Sequence, residues 1–219
     1  MKKCQKYGAI SDDAVNSCPQ CSSPDFAPIK DALDDVKSEM VTPIAAAYFE
    51  DAERGDAAAQ FHLGECYMEG IGVDVNSRIA VEWLKKSADQ GFDMAQSSLG
   101  ICYYFGLGVK QSYVKAIQLF RSAAEQGCAE ALDWVGTCYL HGNGVEKSEV
   151  TAVEYFRKAA ELEYDEAQKD LGYCYMYGIG VAKNLSTARE WLEKAAEQVA
   201  LMLTAFWRRL FTPRMCATI

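Results

Sequence analysis

Three cysteines near the N-terminus and one glycine-rich turn are the groups whose types and spacing invite chemistry. Cys18-Pro19-Gln20-Cys21 is a Cys-x2-Cys knuckle, and Cys4 lies upstream of it. Thiolates so spaced bind zinc, whose structural sites close with four protein ligands in a tetrahedron. Gly106-Leu107-Gly108-Val109 leads to Lys110 and Ser112, the residue types with which a phosphate-cradling loop holds its anion. For proton transfer the chain has two histidines, His62 and His141. No nucleophile-elbow, Walker or metalloprotease motif accompanies them. An enzyme needs titratable groups that converge, and these two fall in different helices of different repeats, so the chain is read as non-enzymatic.

Recurrence decides the turn. Leu99-Gly100-Ile101-Cys102-Tyr103 has counterparts at Leu63-Gly64-Glu65-Cys66-Tyr67, Val135-Gly136-Thr137-Cys138-Tyr139 and Leu171-Gly172-Tyr173-Cys174-Tyr175, each 36 residues from the next. The Gly-x-Gly-Val turns keep the same step at Gly70/Gly72, Gly106/Gly108, Gly142/Gly144 and Gly178/Gly180. Lys110 does not recur: Asp74, Glu146 and Ala182 hold its place. A phosphate loop requires its lysine, whereas a corner between helices requires only its glycines, so the turn is a corner. Self-similarity at such a period is the mark of a solenoid.

Each period reads as helix, turn, helix. Ala95, Leu99, Cys102 and Tyr103 make the i, i+4, i+7, i+8 stripe of an amphipathic helix. Gly106 ends it, because glycine takes the left-handed C′ conformation without a Cβ clash. Asn76, Ser112, Ser148 and Asn184 stand in register as N-caps of the second helices, each worth about 1 kcal/mol. Ala116, Leu119-Phe120 and Ala124 supply a small-residue face and a bulky anchor. Gly91 and Gly127 close second helices, but Glu163 and Val199 stand where the later ones would have glycine.

The pattern Ala-x3-Leu-Gly-x2-Tyr, Gly-x-Gly-Val, Ala-x2-Trp/Tyr/Phe, Lys/Arg-x-Ala resembles the Sel-1-like repeat, a subclass of tetratricopeptide-like hairpins. Four units match from about Ala57 to Gln198, preceded by a half unit near residues 43–54 in which Ala52-Glu53-Arg54-Gly55 parallels Ala88-Asp89-Gln90-Gly91. The resemblance implies an all-α fold, a right-handed α-α superhelical solenoid of antiparallel helix pairs, with a scaffold or adaptor role. A cysteine-rich, secreted branch, which includes hydrolases, carries two cysteines per unit. Here Ala88, Ala124, Ala160 and Ala196 occupy the second helices, so Cys66, Cys102, Cys138 and Cys174 read instead as small buried hydrophobes.

The first 23 residues resemble a short zinc-ribbon segment with two Cys-x2-Cys knuckles. The second knuckle is intact. The first has Cys4 but Tyr7 in place of its second cysteine, with Gly8 following. Cys4, Cys18 and Cys21 are therefore candidate zinc ligands, with Asp12, Asp13, a water or a second chain as fourth donor; the alternative is a metal-free remnant. The domain reading is a zinc-ribbon-like segment at 1–23, a linker at 24–42, the repeat array at 43–198 and an atypical tail at 199–219. That tail carries Arg208, Arg209 and Arg214 without an acid, and Leu203, Trp207 and Phe211 keep the repeat register. It reads as a helix capping the array's end, as a basic amphipathic membrane contact, or, from its abrupt change of composition, as a truncated or altered reading frame.

A formal charge of −9 and a pI near 4.8 exclude the basic face of a nucleic-acid binder. The first residues do not read as a signal peptide, no apolar stretch approaches a membrane span, and the cysteine usage fits a reducing cytoplasm. In solenoids of the resembled kind the first helices line the concave side and meet a polypeptide partner. Transferred by position from each Leu-Gly pair, the candidate contacts are Phe61, Glu65 and Met68, then Met94, Ile101, Tyr104 and Phe105. Asp133, Thr137, Leu140 and His141 follow, and finally Lys169, Tyr173, Met176 and Tyr177. Aromatic and methionine side chains suit a peptide or protein. The competing reading is a zinc-dependent assembly or regulatory module.

Overall fold

The computed structural model describes residues 43–197, together with the backbone of residues 2–4, 10–11 and 26–28. The three short stretches are strands β1 (Lys2–Cys4), β2 (Ile10–Ser11) and β3 (Phe26–Pro28). They form one antiparallel sheet in the order β2-β1-β3, with Lys3 opposite Ile10 and Cys4 opposite Phe26. Cys18, Cys21, the linker after β3 up to residue 42 and the tail at 199–219 lie outside the described residues, and Cys4 is described through its backbone alone.

From residue 43 the chain is helical: α1 (Pro43–Glu53), α2 (Ala57–Glu69), α3 (Ser77–Asp89), α4 (Asp93–Phe105) and α5 (Tyr113–Glu125). These are followed by α6 (Ala129–His141), α7 (Glu149–Glu161), α8 (Asp165–Tyr177) and α9, which starts at residue 185 and is described to 197. Two compact units divide the chain, residues 1–76 and 77–219. In the first, α1 packs on α2 around Phe49, Ala52, Ala59 and Leu63. In the second, α3 to α8 pack in sequence, each helix against the next, and α6 also touches α8.

The corner is built by backbone. Gly106 takes φ 76° as the C-cap of α4, and the Cys102 carbonyl accepts both the Gly106 N–H (2.8 Å) and the Leu107 N–H (2.9 Å). The Ser112 N–H then returns to the Tyr103 carbonyl at 2.8 Å. The same bonds recur at Cys66, Cys138 and Cys174, so the orphan carbonyls of each first helix are satisfied four times alike. Second helices start on side-chain caps. Ser112 and Ser148 accept from the amides of Lys115 and Thr151, and Asn184 accepts from those of Ser186 and Thr187. Among first helices, Asp56 caps α2, whereas Phe92, Cys128 and Tyr164 offer no side-chain cap to theirs. Asp93, Glu130, Asp165 and Glu166 in their first turns oppose the helix dipole instead.

Two glycines per repeat set the packing distance. The Gly136 Cα faces the Phe156 ring so closely that a Cβ there would lie 2.7 Å from it, which lets α6 and α7 approach. In the turn, a Cβ on Gly144 would lie 2.6 Å from the Tyr113 carbonyl oxygen, the first residue of the preceding repeat's second helix; Gly108 and Gly180 stand equally close to Ser77 and Glu149. Phe120 and Phe156 are wholly buried anchors, each stabilising by about 2–3 kcal/mol. A third repeated contact is a glutamine clamp. Gln60, Gln96 and Gln168 donate from Nε2 to the carbonyls of Ala52, Ala88 and Ala160, at the same register position of three repeats. Leu132 takes the glutamine's place in α6.

Candidate functional site

Because the repeats superpose in register, the first helices α4, α6 and α8 of the second unit form one layer and the second helices another. Core contacts face between the layers: Ala116, Ile117 and Phe120 of α5 meet Val135 and Cys138 of α6, and Val153 and Phe156 of α7 meet Ala167, Leu171 and Cys174 of α8. Burial pushes the Cys138 thiol up to about 12 and Cys174 to about 11. Both are neutral hydrophobes with no thiolate chemistry.

What the first helices leave outside is aromatic and sulfur-rich. Met94 and Phe105 of α4 are 49% and 55% exposed, and Tyr173 and Tyr177 of α8 are 43% and 67% exposed. The two tyrosine rings lie 6.5 Å apart. Ile101, Leu140 and Met176 are half-buried, and His141 is exposed at the end of α6. In the first unit Met68 is half-buried.

Three of the expected contact residues, Tyr104, Phe61 and Asp133, are not surface residues. Tyr104 is buried: its ring lies 5.2 Å from Trp134 and 5.0 Å from Tyr113, and its hydroxyl accepts from Asn143 Nδ2 at 2.6 Å. Phe61 is buried as well. It occupies the register slot that holds Ser97 in α4, also fully buried, whose Oγ donates to Glu130 Oε2 of α6 at 2.7 Å. Within the second unit that slot points into the seam between successive first helices rather than outward.

The same slot holds Asp133 in α6, 8% exposed, with its Oδ1 buried and without a hydrogen-bond partner. Burial, reinforced by Asp170, Glu130 and Asp165 against the opposing charge of Lys169, pushes its carboxyl up to about 7. Asp170 is also raised, by burial, with Lys169 and His141 pulling the other way. Glu130, Trp134, Asn143 and Asp170 were not among the sequence candidates, and an acid in a slot that holds Phe61, Ser97 and Lys169 in the other repeats is the one sequence signal that marks this place. On the second-helix side, Arg121, Ala124, Glu125, Leu132, Tyr155 and Lys158 line an open groove of about 550 Å³. Arg121 there donates to the Tyr139 hydroxyl at 2.7 Å, as Arg157 does to Tyr175 at 3.1 Å. Among the described residues, no group of three or more His, Cys, Asp or Glu is arranged to hold a metal ion, and no helix is long and apolar enough to cross a membrane.

Identical hairpins, identical corners and a shared surface layer define a helical-repeat protein. The Sel1 repeat pattern matches residues 57–92, 93–128, 129–164 and 165–199, and the chain belongs to the Sel1 repeat family. Its fold is similar to that of a protective antigen present in uropathogenic Escherichia coli strains and displaying an SLR fold. The match has TM-score 0.65 and 35% identity, and covers 75% of this chain and 36% of that one. A Sel1 repeat protein from Oxalobacter formigenes is similar at TM-score 0.63 and 36% identity, over 70% of this chain and 63% of that one. A sel1-like repeat-containing protein of Acanthamoeba polyphaga mimivirus is 46% identical over 39 residues, 18% of this chain and 7% of that protein. The chain thus matches less than two thirds of the length of each of these relatives.

Proposed function

We propose that this chain is a non-enzymatic scaffold that binds a protein or peptide on the layer formed by its first helices. The observation that carries the reading is the placement of Met94, Phe105, Tyr173 and Tyr177. Among the described residues, the strongly exposed aromatic and methionine side chains all lie on first helices, whereas the large hydrophobic residues exposed on second helices, Val114, Val150 and Leu185, are aliphatic. Flat, rigid aromatic groups bury large area on binding at low entropic cost and concentrate interface energy. Buried, neutral cysteines and widely separated histidines offer no catalytic constellation to set against this. The test is a double substitution, Tyr173→Ser with Tyr177→Ser, chosen because both rings are exposed and neither supports the core. Helicity by circular dichroism stays at the wild-type level, and partners captured from the native host by the wild-type protein are lost. Capture unchanged by the double substitution refutes the reading.

Zinc-dependent assembly is the second reading, favoured by the pairing of β1 with β2. Cys4 is the last residue of β1, the strand that pairs with both β2 and β3. Cys4, Cys18 and Cys21 provide three thiolates, one short of a closed site, and this donor set fits a zinc shared with a second chain. Zinc content per chain, measured together with molar mass by light scattering before and after chelation, tests it. A chain with no zinc and an unchanged mass refutes it.

A further inference from the structure

The seam between α6 and α8 lacks a hydrogen bond that the repeat register calls for and that its residues cannot make while both are ionised. One repeat earlier, Ser97 of α4 donates to Glu130 of α6. Advancing both positions by one repeat gives Asp133 of α6 and Glu166 of α8. Both are acceptors when ionised, so neither can satisfy the other. Glu166 pairs instead with Lys169 of its own helix, and Asp133 is left nine-tenths buried with an orphaned Oδ1. An unpartnered buried carboxylate is costly.

The surroundings make the seam a cation acceptor. Asp133 lies in the electrostatic field of Glu130 on its own helix and of Asp165, Lys169 and Asp170 at the start and middle of α8, and acts in turn on Tyr164 just before α8. Four of these groups with Asp133 are acids, and the lone cation, Lys169, is already engaged with Glu166. The half-buried Asp170 lies within the field of His141. Among the described residues these carboxyls form no metal-binding group of three or more; a guanidinium, always charged and weakly hydrated, is the cation that suits a buried carboxylate. Tyr173 and Tyr177, exposed farther along the same α8, provide the apolar surface against which the rest of a peptide would lie.

We propose that the α6–α8 seam, centred on Asp133, receives an arginine side chain of the polypeptide bound on the first-helix layer. The inference rests on the scaffold reading above and adds the chemistry of its partner. Binding supplies the donor that Asp133 lacks, so the partner must bring positive charge to an acidic chain. Arginine is favoured over lysine because a guanidinium stays charged and is more weakly hydrated than an ammonium, so it is more readily placed against a buried carboxylate.

The probe is a fluorescein-labelled peptide alternating arginine and tyrosine, compared by anisotropy with the same peptide in which citrulline, equal in shape and uncharged, replaces every arginine. The wild-type protein binds the arginine peptide about tenfold or more tightly than the citrulline peptide, the factor expected for a hydrogen bond to a charged group. Asp133→Asn binds both peptides alike, at the weaker level, while Tyr173→Ser with Tyr177→Ser weakens both peptides together. Equal binding of the two peptides by the wild-type protein overturns the proposal, and so does an Asp133→Asn variant that keeps the preference for arginine. If the tyrosine variant still loses affinity in those cases, the scaffold reading stands and only the arginine assignment falls. If the wild-type protein binds neither peptide, both fall. Self-association abolished by Asp133→Asn, with no peptide binding, would make a second copy of this chain the occupant and overturn the proposal. The citrulline comparison uses the unaltered protein, so the proposal stays falsifiable even if the Asp133 variant folds poorly.

Discussion

Replacing Asp133 by asparagine should make the free protein more stable, and by an amount that depends on pH. The native carboxyl titrates at about 7 against an ordinary 3.8, about three pH units, and each unit is worth about 1.4 kcal/mol. Because the folded value is raised, the group costs nothing below the unfolded pKa. Between about pH 4 and 7 the unfolded chain releases the proton while the native one keeps it, so stability falls as pH rises and levels off above the native value. The cost is about 1.5 kcal/mol near pH 5 and about 4 kcal/mol near pH 8. Asparagine fills nearly the same volume and cannot ionise, so its advantage over wild type should widen by about 2.5 kcal/mol between those two conditions. Urea unfolding followed by circular dichroism, with both proteins at both pH values, measures this directly. An advantage that is the same at the two pH values, or a wild-type protein that gains on the variant as pH rises, refutes the reasoning. A variant more stable yet unable to prefer arginine peptide is the signature of a group retained for binding.

Glu163 holds φ 63° where Gly55, Gly91 and Gly127 hold 97°, 88° and 89° in register. Glu163→Gly should therefore raise stability by about 1 kcal/mol, read from the urea midpoint, since an L-residue in the left-handed region costs about that much. Gly144→Ala forces a methyl against the Tyr113 carbonyl from a positive φ and should cost about 2–4 kcal/mol. Gly127→Ala, with the same sign of φ but open space around it, should cost only about 1 kcal/mol. Equal losses for the two alanine variants would show that contact with the preceding repeat contributes nothing.

The hairpins, their corners and the caps at Ser112, Ser148 and Asn184 were legible in the sequence because each is set by local chemistry repeated in register. A glycine that must take φ 76° and a serine that must meet an amide three residues on leave marks no alternative fold would reproduce. Side-chain accessibility on the first helices was legible only in part. Tyr104 lies one residue before the exposed Phe105, yet it is buried because Trp134 and Asn143, from the following repeat, close over it. Phe61 is buried as well, in a slot whose occupant changes from repeat to repeat. Asp133 was visible as a position but not as an unsatisfied one. Its missing partner is a property of the pair with position 166, and that pairing is known only once the Ser97–Glu130 bond is seen.

The near-contact of Gly108, Gly144 and Gly180 with the opening of the previous second helix has an evolutionary consequence. Each corner is gauged against peptide groups laid down one period earlier, so the array measures its own step length. A single residue gained or lost inside a hairpin would throw every later brick out of gauge, whereas duplication or deletion of a whole period leaves each corner on its mark. Descendants of this gene should therefore differ in the number of bricks rather than in their size.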